Sequence, residues 1–234
     1  MKKEEVGNCV SCENLSCLMK KNYEADKYAT VLPNRMVIEC KKSQSFIIEG
    51  APIHGMYFIY AGKVKVTKTG YNGKEQILRL TGNGDIIGIR GYSSRKVYPI
   101  AATALEPTTL CYFPNKFFTQ ELQTHNTLAY ELMVFYAEEL DKTEERVKKF
   151  AQMTVREKVV DSLLSIYDRF GQDEDGLKLV LSRTDIANIA GTNSEQVIRV
   201  LMTLKNEGVI NCEGKHIFLN KIDTLRKEIQ EYNY

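Results

Sequence analysis

Two short amphipathic helices with a glycine between them constrain this chain more than any other stretch. They occupy residues 182–207, SRTDIANIAGTNSEQVIRVLMTLKNE. Ser182 is a favourable N-cap, and Asp185 three residues on places an acid in the first turn. Ile186, Ile189 and Ala190 form one apolar stripe. Gly191 takes a left-handed conformation without a Cβ clash, so it can end the first helix sharply. Thr192 and Asn193 can cap a second helix, whose apolar face is Val197, Val200, Leu201 and Leu204. Helical spacing broken by a glycine over so short a distance is the helix-turn-helix pattern. Ser194, Glu195, Gln196 and Arg199 fall off the second stripe. Arg can take guanine O6 and N7, Glu can accept from a cytosine amine, and Gln can pair with adenine. With Thr192, Asn193 and Arg183 beside them, these residues predict a helix that reads double-stranded DNA in the major groove. The competing reading is a solvated helical hairpin with ordinary surface charge. The agreement of caps, turn and polar set favours DNA.

The flanks of this stretch extend the pattern. Residues 154–171 predict an amphipathic helix with Val155, Val159, Leu163 and Ile166 inward. Residues 178–181 read as a short strand. Residues 208–210 and 216–219, joined by Cys212-Glu213-Gly214-Lys215, read as a hairpin wing, with Lys215 and His216 set to lie near phosphates. Residues 223–234 read as a final short helix.

Residues 126–152 hold neither Gly nor Pro and predict a helix of about 40 Å. Leu128, Leu132 and Phe135 form one apolar line. Ala129, Met133, Tyr136, Leu140, Thr143, Val147 and Phe150 form another, at alternating steps of three and four. That second line is a coiled-coil seam, so the helix is expected to pair with a twin in a homodimer. Glu138, Glu139, Asp141, Glu144 and Glu145 crowd its flanks, where mutual repulsion would make pairing marginal. Lys142, Arg146, Lys148 and Lys149 offer the plainer account, a solvated charged face.

Upstream, residues 35–114 carry eight short strand-like runs separated by turn signals, among them Asn72-Gly73, a strong hairpin marker. Such spacing suggests a jelly-roll-like β-barrel. The chain therefore reads as α+β: a cysteine-bearing segment at 1–20, a barrel sensor domain at 21–125, a dimerisation helix at 126–152 and a winged helix-turn-helix domain at 153–234.

Cys9, Cys12 and Cys17 are spaced C-x2-C-x4-C. Clustered soft ligands on one short segment point to a metal or an iron–sulfur centre. A fourth ligand would come from Cys40, Cys111 or Cys212, a His, or water. Incidental thiols are the bland alternative, and a C-x-x-C thiol redox enzyme is another. That motif normally opens a helix after a strand, and no strand precedes Cys9. A structural zinc site is a further option. Charge decides little, because 32 basic and 30 acidic residues leave a net +2, so any basic surface must be local. No run of about 18 apolar residues is present to span a membrane, and the start, MKKEEVGNCVSC, lacks the apolar core of a signal peptide. A cytoplasmic protein with reduced thiols is the expectation.

A β-barrel, a long seam helix and a C-terminal winged helix-turn-helix together resemble the CRP/FNR family of bacterial transcription regulators. Within it the sequence looks most like the FNR branch, whose members carry an oxygen-labile [4Fe–4S] cluster. The resemblance implies ligands at Cys9, Cys12 and Cys17. It places the fourth at Cys111, within Ala104-Leu105-Glu106-Pro107-Thr108-Thr109-Leu110-Cys111-Tyr112-Phe113-Pro114. The second cysteine gap is four residues here and five in the best-known members. The cyclic-nucleotide branch uses a Gly-Glu pair and an Arg-Ser or Arg-Thr pair. The matching stretch, Gly88-Ile89-Arg90 through Ala101, has neither, so no cyclic nucleotide is expected and Arg90 and Arg95 read as exposed loop residues. Haem is not favoured by His54, His125 or His216. Glu195 and Arg199 fit the family's base-reading pair, which implies a TGA-related site. Ser194 lacks the Arg of the cyclic-nucleotide branch, and Ile198 replaces a small polar residue that contacts thymine in FNR-type proteins. The resemblance further implies promoter DNA and RNA polymerase as partners and no enzymatic activity. Loss of the cluster to oxygen or nitric oxide is implied as the signal, with the N-terminal segment released and the seam loosened. The alternatives are the same architecture with another effector, or a thiol–disulfide switch of Cys9, Cys12 and Cys17.

Overall fold

In the computed structural model, residues 9, 11–23 and 31–232 are described. The first eight residues of the cysteine segment and the last two of the C-terminal helix lie outside them. Contacts divide the chain into two units, Met1–Lys74 with Leu78–Glu138, and Glu75–Ile77 with Glu139–Tyr234.

Among the described residues, the first unit has a five-residue helix α1 (Leu18–Asn22) and eight strands. These are β1 (Met36–Cys40), β2 (Ser45–Ile47), β3 (Gly55–Ala61), β4 (Val64–Thr69), β5 (Glu75–Thr81), β6 (Ile86–Ile87), β7 (Ala101–Ala104) and β8 (Thr108–Pro114). They form two four-stranded sheets, ordered β1-β8-β3-β6 and β2-β7-β4-β5, with antiparallel pairing in the registered ladders. Each expected strand run is present, but the sheets face each other as a jelly roll and do not close into a barrel. The β4–β5 turn uses Asn72 and Gly73 at φ 59° and 72°, the conformation expected of an Asn-Gly hairpin.

Alternation along β8 organises this unit. Leu110 and Tyr112 pack with Tyr57, Ile59, Val64, Val66, Ala102 and Ala104 in the core between the sheets. Cys111 and Phe113 point the opposite way, into a second cluster on the outer face of the first sheet. That cluster holds Phe58, Ile86, Phe118 and Leu132, together with Cys9, Met19 and Tyr23. Successive side chains of a strand must leave opposite faces, so Leu110 inward fixes Cys111 outward.

Two helices follow β8. The first, α2 (Asn115–Thr124), lies in a stretch read from sequence as barrel. It starts directly after Pro114, where a helix can begin without losing a hydrogen bond. The second, α3 (Asn126–Gln152), spans the range expected from its periodicity. Leu128 and Leu132 are buried, and Phe135 packs on the outer cluster. Tyr136 donates to the carbonyl of Ile89 at 2.7 Å. The division between the units falls inside α3.

In the second unit α4 (Val155–Phe170) is capped by a Thr154–Glu157 capping box. A two-residue hairpin, β9 (Gln172–Asp173) and β10 (Gly176–Leu177), precedes α5 (Arg183–Ala190) and α6 (Ser194–Asn206). The strand expected at 178–181 does not form. Leu179 and Leu181 are buried while Val180 is exposed, which reproduces strand alternation in a segment with no ladder partner. The wing is β11 (Ile210–Glu213) paired with β12 (His216–Leu219); its first strand lies later than the expected 208–210, because Gly208 and Val209 stay outside the ladder while Asn211, Cys212 and Glu213 join it. The last described residues form α7 (Ile222–Glu228) and a 3-10 turn, Gln230–Tyr232, instead of one continuous helix.

Candidate nucleic-acid interface and cysteine cluster

The helix-turn-helix forms as its residues dictate. Ser182 accepts from the backbone N–H of Asp185, and the Asp185 carboxylate accepts in return from Ser182 N–H, closing a capping box. Gly191 sits at φ 66° and ψ 37°. A side chain there would carry the strain of a left-handed conformation, which glycine avoids. Asn193 caps α6 by accepting from the N–H of Gln196 at 2.9 Å. Val197, Leu201 and Leu204 are buried, while Glu195 and Arg199 stand exposed on the other side. An exposed Glu and Arg four residues apart on one helix face can approach neighbouring base edges together.

The remaining candidates divide between reading and scaffolding. Thr192 is 8% exposed and its hydroxyl bonds the side-chain oxygen of Gln196. Thr192 therefore shapes the turn and does not face solvent, and Gln196 has its acceptor engaged within the protein. Ser194 shares a hydrogen bond of 3.2 Å with Thr184. Arg183 donates to the carbonyl of Gly214 at 3.0 Å and so ties α5 to the wing turn. Lys215, at the tip of that turn, is exposed. His216 is held by the carbonyl of Asp175 at 2.8 Å. Met202, 61% exposed one turn beyond the exposed Ile198, belongs to the same outer face and was missed from the sequence. Its position four residues after Ile198, off the buried stripe, was the available signal.

Four of the five cysteines in the first unit, all but Cys40, gather on one face. Cys9 is buried against the outer cluster, with Cys17 and Cys111 partly buried beside it. The thiols lie close enough to raise one another: Cys12 acts on Cys9, Cys17 and Cys111, and Cys9 acts on Cys111. Burial is the largest cause in each case, and it pushes Cys17 and Cys111 up to about 11. Arg35 opposes it at Cys9 and Cys111, donating toward Cys111 Sγ at 4.0 Å. Among the described residues, no three Cys, His, Asp or Glu side chains already stand at metal-binding spacing. The donor set is nonetheless four soft thiols on one protein face, which suits an iron–sulfur group and not a hard cation. Cys40 faces the core between the sheets, on the other side of the sheet from Cys111, and Cys212 lies in the wing.

The segment that brings three of these thiols in is pinned along its length. Asn14 donates to the carbonyl of Tyr60 at 2.8 Å, and Lys20 to that of Cys9 at 3.0 Å. Met19 is 1% exposed, and Tyr23 donates to the Glu121 carboxylate while its ring meets His125. Gly84 takes φ 86°, and a Cβ there would stand 2.2 Å from the Ser16 hydroxyl. A side chain there would force the exposed Ser16 hydroxyl to turn aside, and the left-handed φ itself favours glycine.

Comparison with known proteins matches both halves of this architecture. The cyclic nucleotide-binding domain model covers residues 37–125, and the Crp-like helix-turn-helix domain model covers residues 157–228. The chain belongs to the CRP/FNR family. It is a DNA-binding transcription regulator, and the family is one of regulators, not of enzymes. The anaerobic regulatory protein of Pasteurella multocida is 24% identical, with 96% of this chain and 85% of that protein covered. The cAMP-activated global transcriptional regulator CRP of Escherichia coli O157:H7 is 29% identical, covering 74% and 84%. Among solved structures, FixK2 from Bradyrhizobium japonicum shares the fold at a TM-score of 0.73 and 24% identity, covering 82% of this chain and 96% of that one. No helix among the described residues of this CRP/FNR regulator is long and apolar enough to cross a membrane.

Proposed function

We propose that the chain acts as a homodimer on promoter DNA and answers to oxygen, nitric oxide or redox state through an iron–sulfur cluster. Cys9, Cys12, Cys17 and Cys111 would hold that cluster. The observation that carries this reading is the docking of three N-terminal cysteines on the sheet face from which Cys111 projects. Likeness to anaerobic regulatory proteins supports it. When bound, such a group supplies a centre that exchanges electrons and reacts with oxygen and nitric oxide.

The chain's own part is positional. Asn14, Met19, Tyr23 and Gly84 hold the segment on the sheet. The same outer cluster reaches Leu132 and Phe135 of α3. On the opposite side of α3, Met133, Leu140 and Val147 are about 60% exposed in the single chain. A stripe of large apolar side chains at that exposure favours burial against a second copy. Pairing two recognition helices about one DNA turn apart suits a two-fold operator. Where a nucleotide-binding relative would hold its ligand, Tyr98 donates to the Gly55 carbonyl at 2.8 Å and lies buried between the sheets, which favours a filled interior. Arg90 and Arg95 are exposed. RNA polymerase is the partner the regulator reading implies.

The deciding experiment is purification without oxygen, followed by absorbance and iron and sulfide assay. Coloured protein with stoichiometric iron and sulfide is expected. Cys111→Ser should lose both and Cys40→Ser should keep them. Colourless, iron-free protein that still binds its promoter overturns the cluster reading.

A further inference from the structure

Arg35 ends the 3-10 turn Leu32–Asn34 and immediately precedes β1. In the β1–β8 ladder Val37 stands opposite Cys111. Residues two apart on a strand share a face, so Arg35 lies on the face of Cys111, one diagonal step away. That step is within reach of a long side chain, and the guanidinium comes to 4.0 Å from Cys111 Sγ. It also hydrogen-bonds Cys9. One rigid cation therefore joins a thiol of the N-terminal segment to a thiol of the sheet. Arg suits this task because its planar fork can donate to two acceptors at once, which a lysine ammonium on its flexible stem does less well. The sulfurs it approaches lie in an apolar cluster with Phe58, Phe113 and Leu32, while Arg35 itself is half-buried. A cation near sulfur acts strongly where water is scarce.

We propose that Arg35 is a positioning residue for the four-cysteine centre, donating to the Cys9 and Cys111 sulfurs and setting the centre's reduction potential. The inference rests on the iron–sulfur reading. Four thiolate ligands leave such a centre with net negative charge, and adding an electron increases it. A fixed cation and N–H donors at the sulfurs favour the more negative, reduced form and raise the potential. The same contacts span the two chain segments that supply the ligands, so Arg35 also orients Cys9 toward the sheet before anything binds.

The test uses full-length protein with Arg35→Met and Arg35→Lys, reconstituted anaerobically with iron and sulfide. The readouts are iron and sulfide content, circular dichroism of the fold, and reduction potential from a dye-equilibrated titration. Wild-type and both variants are expected to hold the group. The potential should fall in Arg35→Met and recover in part in Arg35→Lys. Uptake by Arg35→Lys but not by folded Arg35→Met also supports the inference, because the cation is then needed for assembly. Equal potentials in wild type and Arg35→Met overturn it. So does loss of uptake in both variants, which reduces Arg35 to a structural prop. A wild-type protein that takes up no iron or sulfide removes the cluster reading itself, a result separate from either of these.

Discussion

At the scale of single residues, reading and holding are separate tasks on the same short stretch. Glu195 and Arg199 face outward from α6, while Thr192, Asn193 and Ser182 spend their polar atoms on caps and turns. Arg199→Ala should therefore cost about 1–3 kcal/mol at one base pair and relax the preference there, leaving the fold intact. Binding of the variant to operators changed one position at a time measures this, and an unchanged specificity profile would remove α6 as the reading helix. Gly84 offers a second residue-level test. Alanine there combines a strained left-handed backbone with a clash at Ser16. Gly84→Ala should displace the cysteine segment, seen as faster proteolysis between residues 9 and 23 and reduced iron uptake. The helix-turn-helix was legible from sequence because caps and a glycine act locally. Arg183 was not, since its partner carbonyl at Gly214 lies 31 residues away.

At the scale of elements, α3 carries two apolar lines with different fates. Leu128 and Leu132 are buried within the first unit, whereas Leu140 and Val147 remain exposed. The acidic flanks are less repulsive than a count of carboxylates implies. Glu139 pairs with Lys142 at 3.4 Å and Glu145 with Lys148 at 2.6 Å, both i,i+3. Such exposed pairs contribute only a few tenths of a kcal/mol each, enough to soften repulsion but not to drive association. In the proposed homodimer the apolar stripe is left as the source of pairing. Leu140→Glu should convert a dimer to monomer in sedimentation or light scattering, with unchanged far-ultraviolet dichroism. A dimer that survives it would place the interface elsewhere. Periodicity foretold α3 to the residue, because a seam repeats every three to four positions over its whole length. It could not foretell α2, which is short and rich in Phe within a run of strands.

At the scale of the whole molecule, one arginine links three helices of the second unit. Arg156 on α4 donates to Glu228 on α7 at 2.7 Å, and in a fork to Glu207, the C-cap of α6, at 2.8 and 2.6 Å. The guanidinium beside Glu207 holds its carboxyl below the usual carboxylate range. A carboxyl with a lowered folded-state value favours the folded form above its unfolded value. That contribution is lost as pH falls through the folded one. The stability gap between wild type and Arg156→Met should therefore be full at pH 7 and shrink below about pH 4, as followed by denaturant unfolding across that range. A gap independent of pH would show that Arg156 acts by packing alone.

The sequence by itself determined what depends on neighbours within about four residues or on strict period: the caps of α4, α5 and α6, the Asn-Gly turn, the length of α3 and the strand runs. The tertiary structure decided what depends on pairing between distant segments. Whether the sheets close, which face Cys111 and Cys40 each take, and where Arg35 reaches all follow from strand register. A one-residue shift in register would reverse every such face without changing a single local preference.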